Sequence, residues 1–187
     1  MNEEDQSFQS KDFSRESFSG RIFTNCAFNH CNFSECRFSN AQWVSCSFRA
    51  CNFSLAKWEG CRLQDALFEE CKIVGAEFFK CDKKIFSMKS RKSLFHYCNF
   101  SGLNMKQTSF SGCRLLECHF IETRLSEADF AGADLSGSVF HNCDLSKADF
   151  SGAFNYLIDV RANQVKQAKF SLPEAVGLLR SFDVQIL

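Results

Sequence analysis

The chain has 187 residues, with 22 basic side chains against 22 acidic and a single proline. That length supports one domain with a true core, and a zero net charge gives no sign of a polyanion binder. No run of eighteen apolar residues occurs and the first ten residues are polar, so neither a membrane span nor a secretory signal is expected; the protein reads as cytoplasmic.

Residues 1–22 introduce the pattern that governs the rest. Phe8, Phe13 and Phe18 lie five apart, and the same step runs on through Phe23, Phe28, Phe33, Phe38, Trp43, Phe48, Phe53, Trp58, Leu63, Phe68, Ile73 and Phe78. A second position lies two residues before each of these centres. In the first four repeats it holds Gln6, Lys11, Glu16 and Arg21, which do not suit an apolar interior. Residues 1–22 therefore read as a leading coil or cap, since the end of a solenoid exposes strand edges and needs a polar cover. Through 23–78 the second position turns small: Cys26, Cys31, Cys36, Ala41, Cys46, Cys51, Ala56, Cys61, Ala66, Cys71 and Ala76.

A period of five fits neither an α-helix nor a flat strand. It fits a chain that turns a corner every five residues, so that four pentapeptides complete a square coil with the large and the small position both facing inward. The segment CAFNHCNFSECRF at 26–38 raises the alternative of a metal site. Eleven of the twelve cysteines fall at the small inward position, while His30, His96, His119 and His141 stand at positions expected to face outward. Cysteine is read as a small core residue, and no metal or other cofactor is expected. Thiols twenty residues apart, such as Cys26 and Cys46, Cys31 and Cys51, or Cys98 and Cys118, should lie within disulfide reach on neighbouring coils.

The register breaks after Phe78. Residues 79–92 carry Lys80, Lys83, Lys84, Lys89, Arg91 and Lys92 against Asp82 alone, and read as a basic insertion projecting from the coil. A second phase then covers 93–170, with centres Phe95, Phe100, Met105, Phe110, Leu115, Phe120, Leu125, Phe130, Leu135, Phe140, Leu145 and Phe150; together the two runs hold 18 of the 23 phenylalanines. At 171–187 the character changes. Ser171 with Glu174 forms a capping-box pattern, and Leu172, Val176, Leu179 and Phe182 fall on one side of a short α-helix that caps the shaft. Its apolar surface, extended by Val184 and Ile186, calls for a partner, and a twofold homodimer would bury it.

No catalytic constellation appears. Asn32-Phe33-Ser34, Asn52-Phe53-Ser54 and Asn99-Phe100-Ser101 match glycosylation sequons only because the repeat generates them, and in Ser54-Leu55-Ala56-Lys57 the alanine is a core position. Neither a phosphate-cradling glycine loop nor a nucleophile elbow is present. Binding, with no small-molecule substrate, is the expected mode of action.

The stretches ADFAG and ADLSG at 128–137 and ADFSG at 148–152 resemble the A(D/N)LXX motif of the pentapeptide-repeat family, and the five-residue pattern extends that resemblance over nearly the whole chain. It implies an all-β solenoid, a right-handed quadrilateral β-helix. The tail, with NYLID at 155–159 and FSLPEA at 170–175, is similar to that of members that protect type II topoisomerases: the Qnr-type, microcin-immunity and albicidin-resistance proteins, most of all the last. The resemblance implies a homodimer that mimics DNA, binds DNA gyrase or topoisomerase IV, and displaces a poison.

Three sets of residues would carry that activity. An acidic segment beside the dimer interface supplies Glu122, Glu127, Asp129, Asp134, Asp144, Asp149 and Asp159, against only Arg124 and Lys147 between residues 120 and 160. The insertion supplies Lys83, Lys84, Phe86, Met88, Arg91 and Lys92. The tail supplies the dimer contacts. Aspartate directly before a centre is also a residue the turn itself favours, and six cations sit poorly in a DNA groove. An adaptor module with another protein partner is the second reading. No direct contact with nucleic acid or membrane is expected.

Overall fold

In the computed structural model, which describes residues 2–182 and 184, the corners are visible in the backbone. Every fifth residue from Asp5 to Gly75, and again from Lys92 to Gly152, has a positive φ between 50° and 71°. A left-handed residue bends the chain sharply, so one such residue per five makes a four-cornered coil. Between corners run short strands such as Ile22–Thr24 and Ala27–Asn29, all pairing in parallel with a segment one coil away. Phe23 lies beside Trp43, and Phe28 beside Phe48. The result is a parallel β-solenoid of about eight coils with one short helix at its end.

Four faces follow from this register. Face one carries the centres Phe23, Trp43, Leu63, Met105, Leu125 and Leu145; face two carries Phe28, Phe48, Phe68, Phe110, Phe130 and Phe150. Face three carries Phe33, Phe53, Ile73, Phe95, Leu115 and Leu135, and face four carries Phe38, Trp58, Phe78, Phe100, Phe120 and Phe140. All of these centres are buried. Along a face the rings stack at the strand spacing: Phe33 and Phe53 centroids are 4.9 Å apart, Phe100 and Phe120 5.0 Å, and Phe130 and Phe150 4.9 Å. Neighbouring faces meet edge to face, as Phe28 and Phe33 do at 5.4 Å and 70°, an arrangement aromatic pairs favour.

All twelve thiols are free and buried, and most have a second task. The Cys46 thiol donates to the Phe23 carbonyl at 3.4 Å, Cys51 to Phe28 at 3.3 Å and Cys71 to Phe48 at 3.3 Å. The Ser138 hydroxyl does the same for Leu115, Thr123 for Phe100, and the Asn163 amide for Phe140. These carbonyls sit at corners, and buried carbonyls require donors. Cysteine thus fills a small apolar slot and supplies a weak donor at once.

The stretch 79–92 is not a projecting loop. Phe86–Arg91 is a strand lying parallel to Arg62–Glu69, with Leu63 opposite Phe86 and Phe68 opposite Ser90. Phe86, Met88 and Ser90 point into the shaft at 8 %, 2 % and 1 % exposure. The coil absorbs its two extra residues within a short helical turn at Phe78–Lys80 and the turn that follows, after which Ile73 faces Phe95, 22 residues on. The segment FSMKSR alternates inward and outward as a strand must, a two-residue period that a search for fives passes over.

The ends are closed differently. In the first coil Glu3 occupies the central position opposite Phe23, and Arg21 forms an ion pair with it while its guanidinium lies 5.0 Å from the rings of both Phe18 and Phe23. At the other end Phe140 pairs with Ile158, only 18 residues on, as the repeat lapses. The terminal helix, Glu174–Phe182, is wound as a 3₁₀-helix rather than an α-helix. Ser171 does not cap it as the sequence pattern suggests: its hydroxyl accepts the Gly152 amide at 2.7 Å, tying the helix to the last coil. Among the described residues no helix is long and apolar enough to cross a membrane.

Candidate partner-binding surfaces

The seven acids of the 120–160 segment do not share one face. Asp144 lies on face one, Asp129 and Asp149 on face two, and Asp134 on face three; Glu122 and Glu127 occupy corners, and Asp159 follows the last centre of face four. They encircle the last coils as a band. Only Asp129 and Asp149 are stacked directly, as a parallel bridge pair.

Five of the seven build turns. The carboxylate of Asp129 accepts the Ala131 amide at 2.9 Å, Asp134 the Ser136 amide at 3.2 Å, Asp144 the Ser146 amide at 3.0 Å, Asp149 the Ser151 amide at 2.9 Å and Asp159 the Arg161 amide at 2.8 Å. The hydroxyl and amide of Ser151, followed by Lys169 at 3.0 Å, hold Asp149 below the usual carboxylate range. The Arg161 amide does the same for Asp159. Burial pushes Asp134 up, but Ser136 and Asn155 outweigh it and the net direction is down. Glu127 is lowered by Gln107 at 2.8 Å and then by Lys106 at 3.2 Å. All four are therefore anionic at neutral pH.

The turn does not require that charge. Asn32, Asn52 and Asn99 occupy the equivalent place and accept the amides of Ser34, Ser54 and Ser101 at 3.1, 3.1 and 2.9 Å. Asparagine also stacks well on itself: the Asn52 amide donates to Asn32 at 3.2 Å, and Asn32 to Asp12 at 3.0 Å. A carboxylate over a carboxylate has no such bond. Ser109, at 2.9 Å from Asp129, and Lys169 cover the two outer ends of the Asp129/Asp149 stack.

The basic set divides. Lys83, Lys84 and Lys92 are exposed, and none of the three is in an ion pair among the described residues. Arg91 is exposed but held by Glu69 at 2.6 Å. Phe86 and Met88 are buried and offer a partner nothing. In the tail, Leu172, Val176, Leu179, Phe182 and Val184 are 78 %, 38 %, 43 %, 55 % and 52 % exposed, whereas Ile186 lies outside the described residues. Residues three apart eclipse in a 3₁₀-helix, so Val176, Leu179 and Phe182 form a single ridge. Exposed Val139, Phe154 and Leu157 on the last coils add to the apolar surface at this end of the molecule. The sequence reading passed over these three. The lapse of the repeat at Asn155 was the available sign that the nearby coils no longer follow its outward polarity.

Family models agree with this architecture. The model for the pentapeptide repeat region matches residues 5–91, and that for pentapeptide repeats in eight copies matches 118–154. The chain belongs to the pentapeptide-repeat family. Its solenoid is accordingly the right-handed quadrilateral β-helix of that family. Among solved structures, a trypsin-treated variant of QnrB1, a plasmid-mediated fluoroquinolone resistance protein, aligns over 100 % of both chains with a TM-score of 0.66 and 16 % identity. HetL of the cyanobacterium Nostoc sp. strain PCC 7120, a pentapeptide repeat protein involved in heterocyst differentiation regulation, aligns over 90 % of this chain and 84 % of its own with a TM-score of 0.57 and 13 % identity. At such identities the likeness is one of fold. No curated protein sequence matches this pentapeptide-repeat protein.

Proposed function

We propose that this protein acts by binding a type II topoisomerase, DNA gyrase or topoisomerase IV, and protects it from a poison such as a quinolone, albicidin or a microcin. The observation that carries this reading is the stacked Asp129/Asp149 pair. Asparagine would make the same turns and a better ladder, so fold alone does not account for two carboxylates one above the other. Their use is external: a rod ringed by fixed negative charge suits a basic groove built for DNA phosphates. Each coil adds about 4.8 Å, so eight coils reach roughly 38 Å, near one turn of duplex DNA. The ridge of Val176, Leu179 and Phe182 supports a homodimer joined tail to tail, which would double that length and bring two acidic bands together. No bond is made or broken; the protein acts by occupying a site.

The test is a supercoiling and cleavage-complex assay with gyrase, a poison, and either the natural protein or its Asp129→Asn/Asp149→Asn variant. Restored supercoiling that is lost in the variant supports the reading, because the variant keeps its turns. Protection that survives in the variant removes the acidic band from the mechanism. No effect of either protein on gyrase or topoisomerase IV returns the molecule to the adaptor class.

A further inference from the structure

Corners of the solenoid need a left-handed residue, a state that glycine, asparagine or aspartate fills most easily and that a bulky side chain reaches at some cost. Of the 22 non-glycine residues in that state among the described residues, only Leu55 (φ 61°) and Tyr97 (φ 53°) are large and apolar. Both are solvent-exposed, at 55 % and 56 %. Neither the backbone nor the core explains them. They belong to the same corner, two coils apart, with only Gly75 between; a Cβ at Gly75 would lie 3.4 Å from Leu55 Cδ2, so Leu55 covers the intervening coil.

Face three continues this apolar surface. Its outward column after each centre reads Ser14, Ser34 and Ser54, then Val74, His96 and Leu116, then Ser136. Val74 is in register with His96, and His96 with Leu116. The Tyr97 ring stacks on His96 at 4.0 Å, and Leu94 occupies the column before the centre. The patch therefore runs over four coils from Leu55 to Leu116 and spans about 14 Å along the axis, with serine flanking Val74, His96 and Leu116 in the outward column. Its rim is charged. Lys72 and Arg114 lie above and below Leu94, and Lys92 holds the neighbouring corner. None of these three is in an ion pair among the described residues, and Arg114 has only the longer-range pull of Asp134.

We propose that this patch docks a segment of a partner protein that presents aliphatic or aromatic side chains next to aspartate or glutamate. The apolar side chains would pack on Leu55, Leu94, Tyr97 and Leu116, and the carboxylates would meet Lys72, Lys92 and Arg114. Aromatic anchors set inside a polar rim are the usual make-up of binding hot spots. The inference does not depend on the topoisomerase reading, since it uses neither the Asp129/Asp149 stack nor the terminal ridge.

The experiment selects twelve-residue peptides from a random phage-displayed library against the full-length protein, then measures their affinity by fluorescence polarisation. Enriched peptides should combine acidic with aliphatic or aromatic residues. Leu55→Asn/Tyr97→Asn and, separately, Lys72→Glu/Arg114→Glu should each weaken them at least tenfold. The first variant should keep or raise the melting temperature, because asparagine suits a left-handed corner. A fall of several degrees would show that Leu55 and Tyr97 serve the fold, and would overturn the proposal. So would an empty selection, basic peptides, or acidic peptides indifferent to both variants. Sedimentation supplies the last arm: if the natural protein is an oligomer that Leu55→Asn/Tyr97→Asn dissociates, the occupant is a second copy and the proposal fails.

Discussion

The two halves of the solenoid share one backbone but fill it differently. In the coils from Phe28 to Trp58 every centre is Phe or Trp, and the small positions beside them are cysteine or alanine; from Met105 to Phe150 phenylalanine keeps faces two and four while faces one and three take leucine or methionine. Opposite faces are thus paired large with large and medium with medium, and the small position relaxes to admit Leu103, Thr108 and Thr123. Outside, the contrast is one of charge: an asparagine ladder at 32 and 52, against aspartate over aspartate at 129 and 149. The interior varies within limits set by volume, whereas the exterior changes charge with no change in backbone. Stability and recognition are therefore separable in this molecule, and substitutions can test that separation.

The largest expected effect is in the aromatic half. Phe53 is fully buried and touches Phe33, Phe48 and Trp58, so Phe53→Ala should cost about 3–5 kcal/mol in chemical denaturation. Leu135→Ala should cost less, because less volume is lost; the reverse order would mean that the aromatic shaft has slack. Next comes alkaline pH. Burial pushes the Cys36 and Cys46 thiols up to about 12, whereas an unfolded thiol ionises near 8.5. The unfolded chain thus sheds protons that the folded one keeps. Stability is intact below the unfolded value and is lost as pH rises from about 8.5 toward 12, at roughly 2.7 kcal/mol per pH unit for these two thiols. A melting temperature that stays flat between pH 8 and 10 would contradict this.

Smaller effects follow. Cys51→Ala leaves the Phe28 carbonyl without its thiol donor and should cost about 1 kcal/mol. Cys51→Ser, which keeps a donor as Ser138 does naturally, should cost less; equal losses would reduce cysteine to a space filler. Asp129→Asn keeps the turn bond and should change stability by no more than about 0.5 kcal/mol. A larger loss would join fold and recognition where they are held here to be separate.

The repeat made the solenoid legible because a corner every five residues fixes which side chains face inward, whatever their size. Gln6, Lys11, Glu16 and Arg21 marked an end for the same reason. The strand at 86–91 was hidden: its inward residues Phe86, Met88 and Ser90 follow a period of two, and its lysines suggested solvent. The acidic residues were countable but their arrangement was not, because steps of five move a residue to the next face and only steps of twenty stack it. Asp134 and Asp149 look like members of one row and lie on different sides. The terminal ridge was half visible: the apolar residues were evident, but their alignment depends on three residues per turn rather than 3.6.

The Glu3–Arg21 pair has a consequence for what the molecule can become. Parallel coils in register resemble a filament stopped after a few layers, and the bare top of such a stack is where a further chain would add. A carboxylate in the place of an aromatic ring, neutralised by the guanidinium beside it, gives that surface neither the shape nor the polarity of the coil that would follow. One ion pair thus makes this face of the first coil a poor template for an added strand, while Phe8, Phe13 and Phe18 keep the aromatic centre on the other three faces.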